Sequence, residues 1–290
     1  MTSCFVSVIM PALDSAATIG SQLEALSRQS FEGDWEILVA DNGSRDGTRD
    51  IVDSWTPRLP HLRLVDASSL RGANAARNMG ARESRGDLLL FCDADDVANS
   101  NWVTSMARAL ASHDMVGGSL ERRTLNDEVA LAARPPKSAD GLLDSFGFLL
   151  YTPFANAGMH KKVWRDAGFF DETYRYGSTD VEFFWRAQLG GATLGFAKDA
   201  VIHYRLRSDL SGVVHQAYSY GRSHPKLYAA FEAAGMPRSD LAAACLEWGW
   251  IVTHSPWLFG EKVRRAAWLY RAAMRWGRLA GSVQNGVLYL

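Results

Sequence analysis

Residues 88–102 read LLLFCDADDVANSNW. Four apolar residues and a cysteine lead directly into three acids within four positions: Asp93, Asp95 and Asp96. A short apolar run bounded by polar residues is the pattern of a strand buried on both faces. In an open parallel sheet, ligands bind beyond the carboxyl ends of the strands, where loops diverge and helix N-termini point into the crevice. Acids at such an end face a cleft, and three of them repel unless a cation, a basic residue or protonation compensates. A divalent metal does so economically. Mg2+ and Mn2+ take carboxylate oxygens, and Mg2+ commonly combines one or two protein carboxylates with substrate phosphate oxygens. Asp95 or Asp96 as the cap of a helix from about residue 99 explains one acid and leaves the others unexplained.

Similar apolar runs occur at 4–10, 35–40 and 62–66, and helical patterns lie between them at 15–29, 48–55 and 73–84. Ile19, Leu23 and Leu26 fall on one face of the first helix. This alternation predicts an α/β fold with a doubly wound, mostly parallel sheet and helices on both faces. The second strand ends in DNGSRDGT, residues 41–48. That segment reads equally as turn chemistry with Thr48 capping the next helix, or as a second polar strand end facing the cleft of the aspartates.

Further along, RTLNDEVALAARPPKSADG (123–141) predicts a proline-containing flap over the cleft. A short strand and a helix ending near Gly168 come next. STDVEFFWRAQLG (178–190) predicts a helix with a Thr179–Glu182 capping box and a glycine stop. A last strand ends at His203. From about 216 the composition shifts, so residues 1–215 are expected to form the principal domain and 216–290 a helical extension. On a helical projection Arg264, Trp268, Arg271, Arg275 and Arg278 share a face beside Val263, Ala267, Tyr270 and Met274. Two readings stand for that face: a peripheral membrane contact, where arginines meet lipid phosphates and aromatics partition, or a packed helix with a solvated basic edge.

The formal net charge of -1 over 290 residues gives no global attraction to nucleic acid. Cys4, Cys92 and Cys245 are too few and too scattered for a disulfide framework or a zinc site, and they read as reduced thiols in a cytoplasmic protein. The N-terminus reads as a strand and not a secretory leader. The most apolar window, 241–259, contains Glu247, His254 and Pro256, so no spanning helix is expected.

VSVIMPALD, EILVADNGSRDGT, RGANAARNMGARESRGDLLLFCDADD and FDETYRYGSTDVEFFWRA, in this order over residues 4–205, resemble the successive motifs of family 2 glycosyltransferases with the GT-A fold. The resemblance implies an inverting, metal-dependent transfer of a sugar from a nucleoside-diphosphate donor, a UDP-sugar first among them, to a glycan, a lipid-linked acceptor or a small molecule. It implies nucleotide contacts from Pro11, Asp41, Arg71, Arg77 and Asp93, and a Mn2+ or Mg2+ ion on Asp93 and Asp95, with Asp96 as an alternative ligand. It also implies that Asp180 is the catalytic base, and that His203 contacts the metal or diphosphate. The chemistry fits, because the acceptor hydroxyl must lose a proton as it attacks while the leaving diphosphate is stabilised. Each role has a plainer counterpart: Asp180 as a helix-dipole residue, Arg77 on a helix surface, His203 as a strand-end structural residue.

Leu13 and Thr179 depart from the family pattern, which often has a base-stacking tyrosine at the first and a glutamate at the second. Trp164, Phe169, Phe170 and Trp185 read as acceptor-pocket or core residues. With no Gln-x-x-Arg-Trp motif, single additions fit better than processive synthesis, in cell-surface glycan or glycolipid formation, at the inner face of the cell membrane where the C-terminal helix makes the contact. Two alternatives keep the aspartates but change the function. LLLFCDADDV also satisfies the signature of haloacid dehalogenase-like phosphatases, whose first aspartate is a nucleophile. A non-catalytic sugar-nucleotide-binding or scaffold protein would retain the fold without turnover. A sugar nucleotidyltransferase lacks its glycine-rich loop here.

Overall fold

A computed structural model describes residues 4–134, 141–175 and 177–290. The first half alternates strictly: β1 (Val6–Ala12), α1 (Ile19–Ser27), β2 (Trp35–Asp41), α2 (Thr48–Trp55), β3 (Leu62–Asp66), α3 (Ala73–Glu83) and β4 (Leu88–Cys92). These strands pair in parallel in the order β3-β2-β1-β4, with Val6 opposite both Trp35 and Leu88. The apolar runs form buried strands because their side chains alternate between two cores. Val6, Val8 and Met10 of β1, with Leu88 and Leu90 of β4, face α1 and the residues around Trp102. Ile9, Leu89 and Phe91 face an aromatic core built on Phe154, Phe170, Phe183 and Phe184.

Next come β5 (Val97–Ala98), α4 (Trp102–Leu110), β6 (Met115–Glu121), α5 (Glu128–Ala133), β7 (Asn156–His160), α6 (Lys161–Asp166), α7 (Thr179–Leu189) and β8 (Leu194–His203). They extend the sheet to eight strands in the order β3-β2-β1-β4-β7-β6-β8-β5. The added half is mixed, since β7 runs antiparallel to both β4 and β6. β6 carries two glycines that weaken its sequence signal. Each leaves room for a neighbour, because a Cβ at Gly117 would lie 2.4 Å from Thr152 Oγ1 and one at Gly118 2.4 Å from the Ala200 carbonyl.

Three local expectations are corrected. Neither Asp95 nor Asp96 caps a helix, since α4 starts after Asn101. The Thr179–Glu182 capping box does not form. Ser178, at φ 54°, precedes the helix and its hydroxyl pairs with Ser223, while Glu182 is engaged by Arg186. Part of the anticipated flap is the helix α5, capped by Asp127, whose side chain accepts the Ala130 N–H at 2.8 Å. Residues 135–140 of that stretch lie outside the described residues.

The chain closes with α8 (Leu210–Phe231), α9 (Leu241–Thr253) and α10 (Lys262–Asn285). The anticipated boundary at 215/216 lies inside α8, and Leu227, Tyr228 and Phe231 at its far end join the aromatic core. α8 and α10 pack backbone to backbone. A Cβ on Gly221 would lie 2.0 Å from the Met274 carbonyl, one on Gly277 2.2 Å from that of Tyr218, and one on Gly281 2.3 Å from that of Arg222.

Much of the basic and aromatic face of α10 is engaged by neighbouring elements, with Arg264 and Arg271 still exposed. Arg271 lies 4.1 Å from the Trp250 ring, and Arg275 pairs with Glu247. Arg278 donates to the Leu290 carbonyl, and Trp268 to that of Ile251. Among the described residues no helix is long and apolar enough to cross a membrane.

Candidate active site

The strand ends β1, β2 and β4 meet at one edge, and short polar loops fix their shape. The Ser15 N–H donates to Thr48 Oγ1 and the Ala16 N–H to Asp46, which ties the end of β1 to the loop after β2. Asn42 clamps the next loop, giving its amide to the Ala67 and Leu70 carbonyls and accepting the Gly72 N–H. Gly72, at φ 140°, begins α3 in a conformation open to glycine alone.

Asp41 ends β2 fully buried. One oxygen accepts the Ser44 N–H, while Oδ2 lies 3.7 Å from Arg49 and has no hydrogen-bond partner. A buried carboxylate oxygen left unmatched costs a few kcal/mol, which a donor on a bound molecule removes. Pro11 lies beside it, paired in register with Ala40, and Arg71 is exposed on the clamped loop.

The DADD segment is stapled at both ends by Gln22 of α1, itself fully buried. Gln22 Nε2 donates to the Asp93 carbonyl and Oε1 accepts the Ala98 N–H. From the other side, the Arg205 N–H donates to Asp96 Oδ1 at 2.7 Å and its Nε to the Asp95 carbonyl at 2.8 Å. Held this way, Asp93, Asp95 and Asp96 each present an oxygen within 4.8 Å of the others.

That grouping is costly as it stands. Burial, then the charges of Asp93 and Asp95, push Asp96 up to about 9. Burial and the Asp93 charge raise Asp95, against the pull of Arg207 and Arg205. Asp96 Oδ2 is buried with no hydrogen-bond partner. Three oxygens this close, two of the acids resisting ionisation and one oxygen unmatched, fit a hard divalent cation.

Arg77 of α3 is no surface residue. It is buried, donates to Asp93 Oδ1 at 2.9 Å and lies 4.9 Å from the centre of the Phe154 ring. Its charge also reaches Asp180 in the first turn of α7. Burial raises the Asp180 carboxyl above its ordinary value, while its own helix N–H groups, Arg77 and Arg134 oppose that rise. Arg77 is thus bonded to the aspartate cluster, and its charge favours the ionised form of Asp180.

His203 ends β8 opposite Val97 and takes a different partner, with Nδ1 2.9 Å from Glu121 Oε2. Against the effect of burial, the His203 ring and the Thr124 and Arg123 N–H groups hold Glu121 down at about 2. Among the described residues His203 is outside the tight aspartate group.

Several positioning residues escape a reading of the sequence. Asn78 donates to the Phe170 carbonyl and Glu172, and accepts from Trp164 Nε1 and the Phe170 N–H. With Asn74 on the Asp171 carbonyl, it anchors the loop that leads to α7. Trp164, Phe170 and Trp185 are core residues, whereas Phe169 is exposed at φ 70°. Leu13, too, is exposed at the cleft end of β1. Arg205 and Arg207 had one available signal, a basic HYRLR run directly after a strand end.

The sequence model of Glycosyl transferase family 2 matches residues 7–165. Glycosyltransferase AglE of Haloferax volcanii is 30% identical over 200 residues, 68% of this chain and 66% of AglE. A PGL/p-HBAD biosynthesis glycosyltransferase of Mycobacterium bovis is 31% identical over 130 residues, 43% of this chain and 50% of the relative. The matched region thus spans less than two thirds of either relative. Among solved structures, the mannosyltransferase PcManGT of Pyrobaculum calidifontis, in complex with GDP-Man and Mn2+, superposes with a TM-score of 0.62 at 20% identity, covering 94% of this chain and 86% of that one. S. aureus TarS 1-349 in complex with UDP-GlcNAc gives 0.54 at 16% identity, covering 98% and 93%.

Proposed function

The chain belongs to glycosyl transferase family 2, and we propose that it moves a sugar from a nucleoside-diphosphate donor to an acceptor hydroxyl with inversion at the anomeric carbon. The observation that carries this reading is Arg77, bonded to Asp93 and acting on Asp180. It joins a site for a charged leaving group to a base. Asp180 takes the proton of the attacking hydroxyl as the new C–O bond forms and the bond to the diphosphate breaks. Burial raises its proton affinity, which suits a base that must capture a hydroxyl proton. The unmatched oxygen of Asp41 accepts an N–H of the nucleotide base, with Pro11 and Arg71 along the same edge.

Asp93 and Asp95 would hold a Mn2+ or Mg2+ ion, with Asp96 as the further ligand. A bound ion there neutralises charge on the diphosphate. His203 gives Nδ1 to Glu121, which orients the ring and leaves Nε2 for the metal or diphosphate. The complexes with GDP-Man and Mn2+ and with UDP-GlcNAc in proteins of this fold support a nucleotide-sugar donor, and a UDP-sugar is our first assignment.

We place the peripheral membrane contact on α9 instead of α10. Leu241, Leu246 and Val252 of α9 and the neighbouring Phe259 are exposed, and the sole charge of α9, Glu247, is paired internally. After Glu261 the exposed Lys262 and Arg264 follow, so the apolar surface carries a basic edge suited to anionic lipid.

The test is turnover of UDP-sugars with and without Mn2+. Metal-dependent release of UDP that disappears in Asp180→Asn, with UDP binding retained, supports glycosyl transfer. Release of phosphate from simple phosphomonoesters would favour the phosphatase. Donor binding with no turnover under any acceptor would favour a scaffold.

A further inference from the structure

Among the described residues nine arginines have an acid within ion-pair distance: Arg28, Arg49, Arg58, Arg63, Arg77, Arg82, Arg186, Arg238 and Arg275. Arg122 and Arg134 are half-buried, and among the described residues neither takes part in an ion pair. Instead both converge on one ring. Arg122 lies 5.9 Å and Arg134 5.8 Å from the centre of Tyr204, and Arg134 lies 5.3 Å from that of Tyr220. Arg134 Nη1 also donates to the Tyr204 hydroxyl at 3.4 Å. Burial and the Arg134 charge both pull Arg122 below its ordinary value.

Ring contacts of this kind contribute about 0.5–2 kcal/mol each, whereas withdrawing a cation from water costs several kcal/mol. Against burial, the Tyr220, Tyr204 and Tyr270 oxygens hold Arg134 above its ordinary value, so Arg122 is the poorly compensated member of the pair, and an anion between the two guanidinium groups would relieve their mutual repulsion. Tyr204 is within reach of the charges on Asp93 and Asp96. It directly precedes Arg205, which bonds Asp96 and the Asp95 carbonyl, so the pair borders the aspartate cluster, and the Arg134 charge also acts on Asp180. The donor end has cations of its own in Arg77, Arg205 and Arg207.

We propose that Arg122 and Arg134 form a subsite for a phosphate group carried by the acceptor. The inference rests on the glycosyl-transfer reading and narrows its acceptor class. Fork-shaped guanidinium groups bind phosphate oxygens in pairs. Anchored there, the acceptor presents a separate hydroxyl to Asp180. Its oxygen bonds to the anomeric carbon, its proton passes to Asp180, and the nucleoside diphosphate leaves with the electrons of the broken C–O bond. The phosphate is untouched by the reaction.

Full-length protein would be titrated calorimetrically with inorganic phosphate, glycerol 3-phosphate and monomeric dihexanoyl phosphatidic acid, in the presence and absence of saturating UDP and Mn2+. We expect saturable binding that persists with UDP bound, weakens at least tenfold in Arg122→Gln and Arg134→Gln, and is partly restored in Arg122→Lys, whose charge persists without the fork. Tighter binding of glycerol 3-phosphate marks a soluble phosphorylated acceptor, and tighter binding of the phosphatidic acid a lipid one; either supports the subsite. Binding equal in wild type and all three variants, competition by UDP, or no phosphate binding at all overturns it. Because this readout needs no turnover, its failure is distinct from a failure of UDP-sugar turnover, which would sink the glycosyl-transfer reading itself.

Discussion

At Asp180 burial works against ionisation, with nearby helix N–H groups and two arginines in opposition. The net shift is upward, so the ionised form that can accept a proton exists only above a pKa higher than the ordinary 3.8. As pH falls through that raised value the base is lost. The acid limb of kcat should therefore lie above the range of an exposed aspartate, and Asp180→Asn should reduce kcat by about 10²–10⁴-fold with the donor Kd nearly unchanged. A pH–rate profile with a donor-binding titration measures both; an unshifted limb, or a variant of full activity, contradicts the assignment. The acids Asp41, Asp93, Asp95 and Asp96 were legible because charge at the end of an apolar strand has few structural uses. Gln22 and Asn78 were not. Each is a single polar residue in a helix, and its partners lie 71–76 and 86–94 positions away.

Among the elements, the four parallel strands and the three helices between them were readable from apolar runs alone, because each strand is buried on both faces. The second half of the sheet was not. β6 hides behind Gly117 and Gly118, whose missing side chains make room for Thr152 and Asn156. The capping box failed because Thr179 is already the first residue of α7: Ser178 takes the cap position and pairs with Ser223 of α8, while Glu182 is held by Arg186 one turn on in the same helix. Close packing of α8 on α10 was equally invisible, because its glycines read as weak helix positions. Gly277→Ala would push a methyl to 2.2 Å from the Tyr218 carbonyl and should destabilise the protein by about 2–3 kcal/mol. Gly20→Ala, in α1 with open space around it, should instead stabilise by about 0.5–1 kcal/mol. Chemical denaturation of the two variants tests the contrast, and a Gly277→Ala protein as stable as wild type would exclude the tight crossing.

For the molecule as a whole, the mixed eight-stranded sheet places its acidic strand ends on one edge, while the far end of α8 and Tyr289 brace the aromatic core on one side. A helical projection of α10 showed arginines and Trp268 on one face, but a projection cannot show that α9 and the C-terminal residues cover much of it. The large apolar side chains left exposed beyond α8 are Leu241, Leu246 and Val252 of α9, Phe259, Trp276 and Val283 of α10, and Leu288. Full-length protein should therefore float with anionic vesicles, and Leu246→Glu combined with Phe259→Glu should abolish flotation without altering UDP binding. Equal recovery of both proteins would remove the membrane assignment and leave the catalytic one intact.

All of the proposed chemistry requires that the aspartates after β4 hold a divalent ion. Electron paramagnetic resonance of Mn2+ titrated into the protein reads this without any acceptor. A single bound ion per chain is expected, held about tenfold or more tightly once UDP is added because the diphosphate completes its coordination, and lost when Asp93 and Asp95 are both changed to Asn. Mn2+ that stays free in the wild type with UDP present, or that binds the double variant equally well, would contradict it.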